Sequence, residues 1–158
     1  MNKNIIKCSI LSEEQAKEIC TWRYEGEYAV YNFPEWSEIV KNRWGLSTQD
    51  GRKSQYVAID LNNEFVAYGR IFTVNDQVFL GVGVKPIKCG NGMGSIIMIK
   101  LIEEAQSRYR DEKIFVEVRD FNKRAKRCYE SIGFRVIDKY WKNTLFGGDN
   151  FYLLKYMK

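Results

Sequence analysis

Three glycines at alternate positions, Gly90, Gly92 and Gly94, open an apolar-periodic stretch that begins near Met93. Glycines so placed let several backbone N–H groups converge on one anion, with the partial positive charge of a helix N-terminus behind them. The ligand read from this arrangement carries phosphate. A second group of chemistry-bearing residues lies in the run 115–134, where Glu117, Asn122 and Tyr129 stand out. Asn122 and Tyr129 are two helical turns apart and share one helix face. Glu117 shares a strand face with Phe115 and Arg119. Carboxylates and phenols are among the side chains that can move protons. A structural role stays open for each: an ion-paired strand glutamate, a helix N-cap and a half-buried core tyrosine.

Composition narrows the chemistry further. The chain contains no histidine, which removes Ser-His and Cys-His nucleophile pairs, histidine metal sites and any histidine base. Acid–base work at neutral pH then falls to Glu, Asp, Tyr, Lys or Cys. The four cysteines, Cys8, Cys20, Cys89 and Cys128, are widely spaced without a C-x-x-C pair. They read as reduced thiols, and no metal is expected. A formal net charge of +5, from 25 basic and 20 acidic residues, suits an anionic small ligand at least as well as nucleic acid. No nucleic-acid partner is expected.

The elements that must hold these residues follow from patterning. A length of 158 residues implies one domain over 1–158. Residues 5–11 form a short apolar run, and Ser12-Glu13-Glu14-Gln15 is a capping-box start for a helix reaching about Cys20. Residues 21–44 are dense in aromatics. Two β-rich runs, 55–61 and 65–74, flank Asn62-Asn63-Glu64 as a hairpin, and a third run, 78–84, stops at Pro86. An amphipathic helix spans 93–109 on the stripe Ile97, Met98, Leu101, Ile102, Ala105 and Tyr109. Residues 114–119 read as a strand, and 122–132 as a helix ended by Gly133. Strands at 135–142 and 151–157 flank a turn at Phe146-Gly147-Gly148-Asp149. The layout is mixed α/β, a meander leading into a strand–helix–strand crossover. No stretch reaches the roughly 18 apolar residues of a membrane span, since Lys100 breaks the longest, and no secretory signal is visible in MNKNIIKCSI. A cytoplasmic protein with no membrane partner, monomer or homodimer, is the expectation.

Competing nucleotide loops fit the glycines poorly. A Walker A loop needs a lysine after its last glycine, and none stands there. A dinucleotide fingerprint would put Ser95 at its third glycine and follow its strand directly, whereas Pro86 and further residues intervene. A loop that merely caps a helix stays open. Within the preceding strand, Val82 and Val84 point to one face while Gly81 and Gly83 leave the other bare, the mark of a bulge or of close backbone approach.

The segment Val84-Lys85-Pro86 followed by Gly92 and Gly94 resembles the acyl-CoA loop of the GNAT acetyltransferases, V-x-P then [QR]-x-x-G-x-[GA], with Cys89 where Gln or Arg is usual and Lys88 beside it. The run 117–134 is similar to the family's E-V-R-x-x-N-x-x-A-x-x-x-Y-x-x-x-G-F pattern, in the style of ribosomal-protein N-terminal alanine acetyltransferases. The resemblance implies the GNAT fold: a central, mostly antiparallel sheet with splayed middle strands and flanking helices. It further implies acetyl-CoA as cosubstrate. Gly90, Asn91, Gly92, Met93, Gly94 and Ser95 would hold its pyrophosphate, Val82, Gly83 and Val84 would pair with its pantetheine arm, and Asn122 would help position it. The implied activity is acetyl transfer to a primary amine by direct attack. Glu117 would be general base and Tyr129 general acid. Tyr24, Tyr28 and Tyr31, amid Glu25, Glu27 and Glu35, are candidates for the acceptor site, which would receive a protein N-terminus or a small-molecule amine. Trp22 and Phe33 read as core. Cys89 lies near a helix start where thiol pKa values fall, yet direct attack needs no acyl-cysteine. Lys123, Arg124, Lys126 and Arg127 read as solvated helix charge or as contacts to CoA phosphates. Two rival classes remain: a catalytically silent acyl-CoA-binding domain on the same fold, and a small nucleic-acid-binding domain using that basic helix.

Overall fold

The computed structural model describes residues 4–144 and 147–158. Seven strands, β1 (Ile6–Ile10), β2 (Tyr56–Leu61), β3 (Glu64–Val74), β4 (Gln77–Val84), β5 (Ile114–Arg119), β6 (Phe134–Thr144) and β7 (Gly147–Tyr156), form one sheet in the order β1-β2-β3-β4-β5-β7-β6. Antiparallel registers join β1 to β2, β2 to β3, β5 to β7 and β6 to β7. The register of β4 with β5 is parallel and comprises two pairs, Val78↔Ile114 and Phe79↔Phe115. The helices are α1 (Glu13–Ile19), α2 (Trp36–Lys41), α3 (Gln49–Gln55), α4 (Met93–Arg108) and α5 (Lys123–Ser131). The order of the seven strands with α1, α4 and α5, and the mixed α/β class, agree with the sequence reading. Among the described residues no helix is long and apolar enough to cross a membrane.

Two compact units divide the chain, and β3 and β4 each run from one into the other. The first holds residues up to Arg70 with Val82–Met93. Its α1 begins as the capping box requires: Ser12 Oγ accepts the Gln15 N–H and Gln15 Oε1 accepts the Ser12 N–H, both at 3.0 Å. Two orphan helix-end donors are thereby satisfied. Ala16 and Ile19 turn into a core with Leu11, Cys20, Trp22, Ile39, Leu46, Tyr56 and Ala58, against which Phe33 and Tyr68 pack. The β2–β3 turn places Asn62 and Asn63 at φ 52° and 67°. Asparagine tolerates the left-handed region that tight hairpins need.

Sequence patterning gave no sign of α2, α3 or the 3-10 turns at Gly26–Tyr31 and Gly45–Ser47. In α3 the reason is local. Its sequence, QDGRKSQ, has no apolar stripe. Thr48 caps it by accepting the Gly51 N–H at 3.0 Å, and Arg52, buried, donates to the Leu46 carbonyl at 3.1 Å. A Cβ on Gly51 would stand 2.2 Å from the Gly45 carbonyl oxygen.

The second unit holds Ile71–Gly81 with the chain from Gly94 onward. Its core includes Ile97, Met98, Leu101, Ile102 and Ala105 of α4, the expected stripe, with Val116 and Val118 of β5, Phe134 and Leu154. Asn122 caps α5, accepting the Ala125 N–H on Oδ1 at 3.2 Å, and Gly133 at φ 119° ends it. Hairpin β6–β7 is longer than the apolar pattern indicates, with register running to Thr144↔Gly147. Of the expected turn 146–149, Phe146 lies outside the described residues, while Gly147, Gly148 and Asp149 already belong to β7. Gly148 lies against the Trp141 indole, where a Cβ would meet ring atoms at 2.2 Å.

Candidate functional site

The end of β4 is held from beneath by two tyrosines of its own unit. A Cβ on Gly83 would stand 2.2 Å from the Tyr68 ring, so the face that the sequence leaves bare is occupied by that ring. Tyr68 also meets Trp22, Phe33 and Tyr56 through ring contacts of 6.0–6.4 Å between centroids. Burial pushes its hydroxyl far above the usual tyrosine range. Tyr24 Oη donates to the Val84 carbonyl at 2.6 Å, and burial pushes this hydroxyl up as well. Asn32 fixes the Tyr24 backbone from both sides, accepting its N–H at 2.7 Å and donating to its carbonyl at 3.3 Å. Tyr24, an acceptor-site candidate in the sequence, is therefore an anchor of β4. Tyr28 and Tyr31 stand together, 6.5 Å between ring centroids.

Beyond β4 the chain makes a 3-10 turn, Pro86–Lys88. Lys85 pairs with Glu18 at 3.7 Å and Lys88 with Glu64 at 3.1 Å, so the lysine beside Cys89 points toward Glu64. The Cys89 thiol turns back on the carbonyls of Val84 and Lys85, at 3.6 and 3.7 Å. Gly90 and Gly92 sit at φ 81° and 73°, conformations that glycine adopts without strain. Gly90, Asn91, Gly92 and Gly94 are exposed. A Cβ on Gly92 would meet nothing within 4 Å. The backbone of this turn, leading straight into α4, is open to a ligand's phosphates, and the residue types fit acetyl-CoA.

In the second unit, Glu117 lies in a built environment. Its Oε2 accepts from the Tyr140 hydroxyl at 2.5 Å and its Oε1 from Lys142 Nζ at 2.7 Å. Burial, then the bond to Glu117, pushes the Tyr140 hydroxyl well above its ordinary value, so it stays a donor throughout the neutral range. Two residues along β5, Arg119 pairs with Asp149 at 3.2 Å, donates to Thr144 at 3.2 Å, and lies 5.0 Å from the Phe151 ring centroid.

Strand alternation separates the two acid–base candidates. Glu117 pairs with Leu153 and Val118 with Tyr152, so Glu117 and Tyr152 project from opposite faces. Helix α5 covers the Tyr152 face: Lys123 and Lys126 each hold their ammonium 5.1 Å from that ring. Tyr129 packs on Phe134 there, 5.9 Å between centroids. Glu117 thus lies on one side of β5 and Tyr129 on the other. Lys123 and Lys126 also pair with Asp120 and Glu130, as solvated helix charge would. Ser95 Oγ and Cys128 Sγ lie 3.5 Å apart, which brings the start of α4 beside α5.

Sequence reasoning passed over Tyr68, Asn32, Tyr140 and Lys142. The last two were discoverable only through register: Tyr140 pairs with Phe151, which pairs with Arg119, and this places β6 side chains two strands from β5. Nothing in the local sequence signals that neighbourhood.

The acetyltransferase (GNAT) family model matches residues 14–134. No curated protein sequence matches the chain. Among solved structures, a spermidine N-acetyltransferase SpeG chimera from Vibrio cholerae and hSSAT superposes with a TM-score of 0.78 at 12% identity, covering 96% of this chain and 95% of its own. The ribosomal-protein-S18-alanine N-acetyltransferase from Escherichia coli gives 0.65 at 20% identity, covering 96% and 93%. Campylobacter jejuni N-acetyltransferase PseH, in complex with acetyl coenzyme A, gives 0.70 at 16% identity, covering 98% and 99%. These likenesses show the fold. With the family match over more than half its length, the chain belongs to the GNAT family of acetyltransferases.

Proposed function

We propose that this protein transfers acetyl from acetyl-CoA to a primary amine by direct attack. The observation that carries the reading is the exposed turn 90–92, both of its glycines left-handed, leading into the first turn of α4 at Met93, Gly94 and Ser95. Its backbone N–H groups bind the pyrophosphate, and the amide and carbonyl groups of Val82, Gly83 and Val84 pair with the pantetheine arm. Asn122 helps position the same ligand from its cap at α5.

Amine acceptors arrive mostly protonated at neutral pH. Glu117 takes that proton, directly or through water. The nitrogen lone pair attacks the thioester carbon, the C–N bond forms, and the C–S bond breaks as the tetrahedral oxyanion collapses. Tyr129 gives its proton to the departing thiolate and regains one from solvent. Base and acid on opposite faces of β5 suit an amine and a thiolate that approach and leave by different sides. Tyr24, Tyr28 and Tyr31 are the candidates for the acceptor side; related folds act on spermidine and on a ribosomal-protein alanine, so both polyamines and protein N-termini belong in the test.

Saturating acetyl-CoA should raise the melting temperature, since a ligand bound only by the folded state stabilises it. Turnover with an amine panel then separates catalysis from silent binding. A melting temperature unmoved by acetyl-CoA would remove the proposal at its first step.

A further inference from the structure

We infer that Glu117 Oε1 and the Phe151 ring form the seat for the acceptor's ammonium, and that Lys142 is its resident occupant, displaced when the acceptor binds. The inference rests on the acetyl transfer proposed above and deepens it. Lys142 carries the same chemical group as any primary alkylamine acceptor. Its Nζ lies 2.7 Å from Glu117 Oε1 and 5.3 Å from the Phe151 centroid. Carboxylate on one side and aromatic ring on another is a recognition geometry for an alkylammonium. The second oxygen is handled differently: Oε2 accepts from Tyr140, a neutral hydroxyl that fixes the carboxylate without competing for the cation.

The two partners differ in their hold. Lys142 is 46% exposed on β6, the last strand in the sheet order, so its long side chain can leave for water. Tyr140 is half-buried. Other charges on this face are otherwise engaged or stand further along. Arg119 of β5 is tied to Asp149 of β7 and lies 5.0 Å from the Phe151 centroid, Asp138 of β6 acts on Tyr140, and Lys155 stands further along β7, opposite Phe115 in the register. Lys142 alone donates to Oε1 among the described contacts. It thereby marks where an incoming ammonium meets the base. Tyr140 is a positioning residue, acting through Glu117.

The test is steady-state kinetics at saturating acetyl-CoA with three probes: spermidine, a peptide beginning with a free alanine, and an N-terminally blocked peptide with one lysine. Wild type is compared with Lys142→Met, Lys142→Arg and Tyr140→Phe. An exposed ion pair is weak, so Lys142→Met should lower the amine KM by up to about fivefold with kcat nearly unchanged. Lys142→Arg keeps a cation on Oε1 and should not lower KM. Tyr140→Phe should reduce kcat about tenfold at pH 7, and the deficit should shrink as pH rises and the amine deprotonates unaided. An unchanged or raised KM in Lys142→Met, with wild type active, overturns the seat alone. A Tyr140→Phe loss that is uniform across pH overturns its positioning role. If wild type acetylates none of the probes, amine acetylation falls and the seat falls with it.

Discussion

The phenolic oxygen of Tyr24 lies 2.6 Å from the carbonyl oxygen of Val84, 60 residues further along the chain, and donates its proton to it. One hydroxyl from the aromatic stretch thus fixes the last residue of β4, from which the glycine turn departs. Removing it with Tyr24→Phe keeps the ring and deletes the bond. Stability should fall by about 0.5–1.5 kcal/mol, and acetyl-CoA should bind several-fold more weakly because the Val84 backbone loses its restraint. Calorimetric binding beside a thermal melt checks both. Wild-type affinity in the variant would show that this anchor does not serve the ligand.

The glycine turn should separate conformational need from ligand need. Gly92 sits at φ 73° with open space around it, whereas a Cβ on Gly94 meets only Cys128 Sγ at an ordinary 3.5 Å. Gly92→Val should lose about 1–2 kcal/mol of stability from the left-handed backbone alone, and should also lose the acetyl-CoA-induced rise in melting temperature. Gly94→Ala should keep both. The informative quantity is the ligand-induced rise in each variant, measured against its own melting temperature. A full rise in folded Gly92→Val would take the turn out of the binding site.

Much of this was legible in the sequence because it is local. The capping box at Ser12, the cap at Asn122, the stripe of α4 and the strand 114–119 each rest on periodicity or on residues within one turn of each other. The alternation that sets Glu117 on one face of β5 is local too. What surrounds Glu117 is not. Tyr140 and Lys142 reach it only because β7 lies between β5 and β6, a strand order that no window of sequence carries. The same holds for Tyr68 filling the space above Gly83: the glycine announced a close approach without naming what approaches. The aromatic stretch is a further case: the bond from the Tyr24 hydroxyl to the Val84 carbonyl joins residues 60 apart, and no window of sequence carries it.

Alkaline pH should unfold this protein earlier than its basic composition implies. Burial raises the Cys20 thiol from 9.0 to about 11 and pushes the hydroxyls of Tyr24, Tyr56 and Tyr68 above their ordinary value. In the unfolded chain these groups ionise at about 8.5 for the thiol and about 10 for the phenols. Between the two states the unfolded chain releases its protons first, so the folded state is favoured in full below about pH 8 and loses ground as pH rises. The melting temperature should stay level from pH 7 to about 8, decline as the thiol of the unfolded chain ionises, and fall steeply above about pH 10 as the phenols follow. Tyrosinate absorbance from the buried phenols should appear together with unfolding. Their titration in a still-folded protein at ordinary tyrosine pH would contradict the assignment.

Glu117 and Tyr129, on opposite faces of β5, should fail in different ways. A lysine amine titrates near ~10.4 and a peptide α-amine near ~8, so at pH 7 either acceptor needs a proton removed before it can attack. Glu117→Gln keeps a side chain of the same shape beside Tyr140 and Lys142 but cannot take that proton. Its loss should be greatest at neutral pH and should recede as rising pH deprotonates the amine without help. Tyr129→Phe leaves amine activation intact and keeps the ring on Phe134. It removes only the proton given to the thiolate. Because a thiol of pKa about 8.5 can leave as the anion, the loss should be partial, on the order of 10²–10⁴-fold, and high pH should not restore it. The measurement is kcat/KM against pH for both variants, with one competent amine and saturating acetyl-CoA. Should Glu117→Gln follow the wild-type profile at near wild-type rate, the carboxylate is a structural partner of Tyr140 and Lys142, and water or another group deprotonates the amine.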